Sequence, residues 1–133
     1  MTRFAILTAT LLVGSTLGLA QFDSEPKYDA GTVSALVDRV HADLNQAYGT
    51  RHFSSGDRDR LNKAEKELRD FSQKWQRGKF DKDELDGAID SIQHVLDNNK
   101  LGHGERDAVG EDVSQLRKMR EAYNRHEIEG AHH

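Results

Sequence analysis

Cysteine is absent from this chain of 133 residues. That excludes disulfide bridges, thiolate metal sites and cysteine nucleophiles, so the fold has to be held by an apolar core. Proline occurs once, at Pro26. No apolar stretch after the first twenty residues is long enough to cross a bilayer, which takes a helix of about 20 apolar residues. Positive charge is not in excess. The formal net charge is −4, and phosphate binding needs a concentrated positive field, so nucleic acid is not an expected partner. Several enzyme motifs are also missing. There is no Gly-rich phosphate loop, no nucleophile elbow and no histidine pair spaced H-x-x-x-H or H-E-x-x-H. No cofactor and no enzymatic activity are expected.

What is present begins with an export signal. Arg3 precedes an apolar run from Phe4 to Val13, and small residues, Gly18 and Ala20, stand three and one residues before a cut ahead of Gln21. This is the pattern of a secretory signal peptide over 1–20. Secretion or a periplasmic location follows, with no membrane span after signal removal. The segment 21–31 carries Pro26, mixed charge and little apolar content, and reads as a flexible leader.

The rest, 32–125, reads as an all-α domain. Val33, Leu36, Val37, Val40, Leu44, Ala47 and Tyr48 recur at three and four residues, one face of a helix. Thr32 is its expected N-cap and Gly49 its expected stop, with His52 to Gly56 as the turn. A second helix starts near Ser54 or Ser55. Its seam is Leu61, Ala64, Leu68, Phe71 and Trp75, and Gly78 ends it. Trp75 is expected in the core; an outward Trp75 would instead make a binding patch. In the third helix Asp81 and Glu84 spell a D-x-x-E capping box. Phe80 and Leu85 are placed to form a hydrophobic staple around it. Leu85, Ala88, Ile89, Ile92, Val95 and Leu96 form its buried face. The fourth helix begins around Gly104 with Val109, Val113, Leu116, Met119 or Arg120, and Tyr123 as its stripe. Residues 126–133 read as a flexible tail containing histidine. Short connections between these helices predict an up-down-up-down four-helix bundle.

The two helix pairs also align without gaps. Gly56-Asp57-Arg58-Asp59 falls on Gly104-Glu105-Arg106-Asp107, Leu68-Arg69 on Leu116-Arg117, Phe71 on Met119 and Trp75 on Tyr123. An internal repeat of one αα-hairpin is the expectation.

Candidate sites are few. Gly78 to Leu85 resembles the second half of a calcium loop. Its register, however, puts Gln73, Trp75 and Arg77 where oxygen ligands belong, so the capping reading stands instead. Of seven histidines, His126, His132 and His133 in the tail are the candidate transition-metal ligands, which makes metal binding or buffering the alternative function. Asp83, Asp86, Asp90 and Asp97 lie near one face of the third helix, a solvated acidic stripe or a partner for the basic second helix. Arg58-Asp59 and Arg106-Asp107 would lie at one end of the bundle as possible partner contacts, or would serve dipole complementation and an ion pair between hairpins.

In size, helicity and export signal the chain resembles periplasmic stress chaperones of the Spy and CpxP type. Their L-T-x-x-Q motifs are absent, so the resemblance carries over no residue. The expected function is non-enzymatic: binding or structure in the cell envelope, with a protein or envelope component as partner.

Overall fold

The computed structural model describes residues 28–49 and 54–131. The expected signal peptide, most of the leader, the turn at 50–53 and the His132-His133 pair lie outside the described residues. Four helices make up the fold: α1 (Ala30–Gly49), α2 (Ser55–Gln76), α3 (Lys82–Asn98) and α4 (His103–Asn124). They form a bundle in which each helix packs on two neighbours and α4 returns to α1. Neighbours run antiparallel. Lys74 reaches Asp81 at one end of the α2–α3 pair, and Arg60 reaches Asn99 at the other. Likewise, Trp75 Nε1 donates to Ala30 O at 3.5 Å, while His41 meets Glu65 farther along α1 and α2. The α2–α3 interface is the most extensive and the α1–α2 interface the smallest.

The apolar seams read from the sequence are the core. Val33, Val37, Val40 and Leu44 of α1 pack with Leu61, Ala64, Leu68 and Phe71 of α2, Leu85, Ala88, Ile92 and Val95 of α3, and Val109, Leu116 and Met119 of α4. The fourth stripe resolves to Met119, fully buried, while Arg120 stays half-buried and turns to Asp86. Trp75 points inward and is 7% exposed, so it offers no surface patch. It belongs to an aromatic cluster centred on Phe80. Phe80 stacks on Tyr123 at 4.5 Å and meets Phe71 and Trp75 edge-on at 5.1 and 5.8 Å. Burying side chains of this kind contributes roughly 1.5–3 kcal/mol each.

The helix ends show where local chemistry overrides residue spacing. α1 starts at Ala30, not beyond Thr32. Asp29 is the cap, its Oδ1 accepting from Thr32 N at 2.7 Å and Thr32 Oγ1 at 2.9 Å. A carboxylate accepts both bonds, and so displaces the hydroxyl from the capping role. α2 begins as expected, with Ser54 Oγ accepting from Asp57 N at 3.1 Å. It ends in a Schellman motif. Gly78 N donates to Trp75 O at 2.8 Å and Lys79 N to Lys74 O at 2.9 Å, with Gly78 at φ 87°.

The D-x-x-E box at α3 is half formed. Asp81 Oδ1 accepts from Asp83 N and Glu84 N, both at 3.1 Å. Glu84 does not reciprocate; its Oε1 lies 3.5 Å from Lys74 Nζ. The ammonium offers that carboxylate a charged donor, a stronger partner than the neutral N–H of the box. The expected staple is in place, with Phe80 and Leu85 both buried.

Tyr28 and residues 126–131 close the ring. Residues 126–131, read as part of a flexible tail, fold back onto the bundle. α4 ends in the same bond pattern as α2. His126 N donates to Tyr123 O at 3.0 Å and Glu127 N to Ala122 O at 2.9 Å, with His126 at φ 60°. Ile128 is then buried, and its segment pairs with Tyr28: Tyr28 N donates to Glu127 O and Glu129 N to Tyr28 O. Among the described residues no helix is long and apolar enough to cross a membrane.

Candidate functional site

The four expected partner contacts do not form one site. Arg58 and Asp59 lie exposed near the start of α2, and Arg106 and Asp107 lie exposed near the start of α4. Both helix starts are at the same end of the bundle, but α2 and α4 occupy opposite corners of the ring. Arg106 has a structural task. Its Nη1 donates to Leu96 O at 2.7 Å and its Nη2 to Asn99 O at 3.2 Å, placing positive charge on the carbonyls that end α3.

The histidines are similarly dispersed. His94, His103 and His126 are exposed on separate elements, and His41 is half-buried against Glu65. Among the described residues no group of three or more His, Cys, Asp or Glu side chains could hold a metal ion. Of the three tail candidates, His126 sits in the left-handed turn after α4, while His132 and His133 lie outside the described residues.

The acidic stripe of α3 does not turn as a unit towards α2. Asp86 bonds Arg120 of α4 at 2.8 Å, Asp97 accepts from Gln93 at 3.0 Å, and Asp83 and Asp90 are exposed. At the α2–α3 joint Asp81 holds the helix N-terminus with one oxygen and Lys74 with the other, at 2.8 Å. Lys74 and the Glu84 N–H hold the Asp81 carboxyl below its ordinary value, and Asp81 in turn raises the Lys74 ammonium. Both oxygens of the residue that first suggests calcium are therefore occupied by architecture.

Between α2 and α3 a cleft of about 210 Å³ is lined by Arg60, Lys63, Ser91 and His94. Arg60 serves the fold here. Its Nε donates to Asn99 Oδ1 at 2.7 Å and its Nη2 to Asp57 Oδ1 at 2.7 Å. Buried Asn99 adds a bond from its Nδ2 to Asp57 O, which ties the loop after α3 to the start of α2. Ser91, at the cleft wall, donates to Glu67.

The least ordinary chemistry lies where α1 meets its neighbours, at residues that no sequence motif singles out. Asp112 of α4 is 0% exposed. Its Oδ1 is held by Arg39 of α1, with Nη2 at 3.0 Å and Nε at 3.1 Å. Its Oδ2 is buried and has no donor. Asp43, one turn along α1, is the neighbouring carboxyl. Burial pushes the Asp112 carboxyl up to about 7; Asp43 adds to the rise, and Arg39 opposes it. On the other side of α1, His41 Nδ1 lies 2.9 Å from Glu65 Oε2, and Glu65 Oε1 is buried without a partner. The sequence does carry a signal for Asp112. It lies three residues after Val109 and four before Leu116, on the buried seam of α4.

Comparison with known proteins finds no matching family model, no similar curated protein and no similar solved structure.

Proposed function

We propose that the chain is an exported four-helix protein with a non-enzymatic binding or structural role, its partner a protein or another component of the cell envelope. Export rests on the charge, apolar run and small residues of 1–20. The role rests on how the bundle uses its ionisable groups. Asp81 with Lys74, Asp86 with Arg120, Asp112 with Arg39 and Glu65 with His41 each join one helix to the next. Side chains engaged in this way hold a scaffold in shape. A catalytic acid or base needs a perturbed group facing a substrate cleft.

Within that reading the bundle is two copies of one αα-hairpin. Several features support the duplication. α2 and α4 are each 22 residues long and begin 48 residues apart. Both end in the same pair of bonds, with Gly78 and His126 as the left-handed residues. Two residues later, Phe80 and Ile128 are both buried.

The test uses the chain expressed in a bacterial host with a C-terminal tag. N-terminal sequencing of the exported form should begin at Gln21, and cross-linking in envelope extracts should enrich the same component in repeated captures. Retention of 1–20 together with captures no richer than those of an unrelated tagged bundle would reject the proposal.

A further inference from the structure

The hydrogen bonds that tie α2 to α3 leave one level of the helix pair unbridged. Arg60 of α2 reaches the end of α3, its Nε donating to Asn99 Oδ1 at 2.7 Å and its Nη2 lying 3.5 Å from Asn98 O. Farther along, Ser91 of α3 donates to Glu67 of α2. The helices run antiparallel, so the level between these ties holds Lys63 of α2 and His94 of α3, which line the 210 Å³ cleft from opposite sides. Among the described residues no hydrogen bond crosses there. Glu67 stands four residues from Lys63, the spacing of a helix ion pair, but is turned to Ser91 instead. Neither the Lys63 ammonium nor the His94 ring has a partner among the described residues.

The cleft is thus fixed on both sides by bonds between its walls and carries unused polar groups at its middle. Its accessible wall is mainly apolar, as when long basic side chains lay their hydrocarbon stems along a groove. We propose that this cleft binds a small organic carboxylate, its hydrocarbon body between α2 and α3 and its carboxylate on Lys63 and His94. The assignment is independent of the envelope partner proposed above.

The charge of the occupant follows from the groups left over. Arg60 is engaged by Asp57 and Asn99, which leaves Lys63 as the cleft's unpaired cation. A carboxylate accepts hydrogen bonds only and carries one negative charge, which suits one ammonium and one imidazole N–H. Inorganic phosphate suits the site less well. Its further charge meets no second free cation in the cleft, the carboxylates behind Arg60 and Ser91 oppose it, and it leaves the apolar wall wet. An organic cation would meet Lys63 as a like charge. The size follows from the volume. Pockets for drug-sized ligands run to about 300–1,000 Å³, so this one takes a short chain.

The experiment is a nitrogen-15 NMR titration of the purified protein with acetate, butyrate and hexanoate at one fixed pH. Saturable amide shifts should centre on Lys63, Ser91 and His94, with affinity rising about two- to fourfold for each added methylene. Hexylammonium, with the same body and the opposite charge, should give no saturable shift at these residues, and inorganic phosphate should bind more weakly than hexanoate. Lys63→Gln keeps the stem and removes the charge. It should weaken hexanoate binding by about three- to tenfold, the loss of one partly exposed charged hydrogen bond. Lys63 is exposed, so the urea midpoint should stay where it was. Hexanoate shifts that do not saturate, or that scatter over the whole surface, overturn the proposal. So does hexylammonium or phosphate binding as tightly as hexanoate, and so does full hexanoate affinity in Lys63→Gln.

Discussion

Asp81 shows how much one side chain decides at the joint between the hairpins. One oxygen caps α3 by accepting two backbone N–H groups, and the other receives the Lys74 ammonium. Asp81→Ala leaves those N–H groups without their cap and should lower stability by about 0.5–2 kcal/mol, read from the midpoint of urea unfolding. Asp81→Asn keeps an acceptor for the cap and should recover part of that loss. Calcium should change neither value, since both oxygens already have partners. The charge has a sign as well. Lys74 and the helix N–H groups hold the carboxyl below its ordinary value, so its contribution is present above about pH 4 and is lost as pH falls through the lowered folded value.

Helices and their ends are the scale at which the sequence is most legible, and glycine gives the sharpest test of it. Gly78 ends α2 at φ 87°, with open space where a Cβ would stand. The cost of Gly78→Ala is then almost purely backbone strain, about 1–2 kcal/mol. Gly110 lies inside α4, also with nothing within 4 Å of an added Cβ. Gly110→Ala should therefore stabilise the protein by about 0.5–1 kcal/mol. Gly87→Ala should gain less, because its Cβ would meet Glu67 Oε2 at 3.0 Å. Thermal unfolding of the three variants checks the order, and a stabilising Gly78→Ala would contradict the left-handed turn. The seams, the Ser54 cap and the Gly78 stop follow from residue spacing and are read directly. Interactions across the bundle are not. The turn of Glu84 to Lys74, the closure of Tyr28 on Ile128 and the bond of Arg39 to Asp112 depend on which helix lies beside which. A one-dimensional pattern does not carry that information. Asp112 is an intermediate case. Its seam position is visible in the sequence, but its partners come from α1, more than sixty residues away.

For the whole molecule, these groups act against one another across the pH scale. Asp112 is raised to about 7 from an unfolded value of 3.8, so the folded state holds the extra proton between those values and stability falls as pH rises through that window. Asp81 and Asp29 are lowered, and their contributions disappear as pH drops below about 4. Lys74 and Lys66 are raised, so what they add persists until pH climbs through their folded values above 10.5. Taken together, stability should be greatest at about pH 4–5, on the acid side of the sequence pI of 5.9, and should decline towards pH 7. Circular dichroism melts across this range measure it. Asp112→Asn removes the decline between about pH 4 and 7 and leaves the acid limb, which belongs to Asp81 and Asp29, where it was. A wild-type melting temperature that stays level from about pH 5 to 8 would mean that Asp112 is ionised in the folded protein throughout. The buried Oδ2 of Asp112 would then need some partner other than a proton.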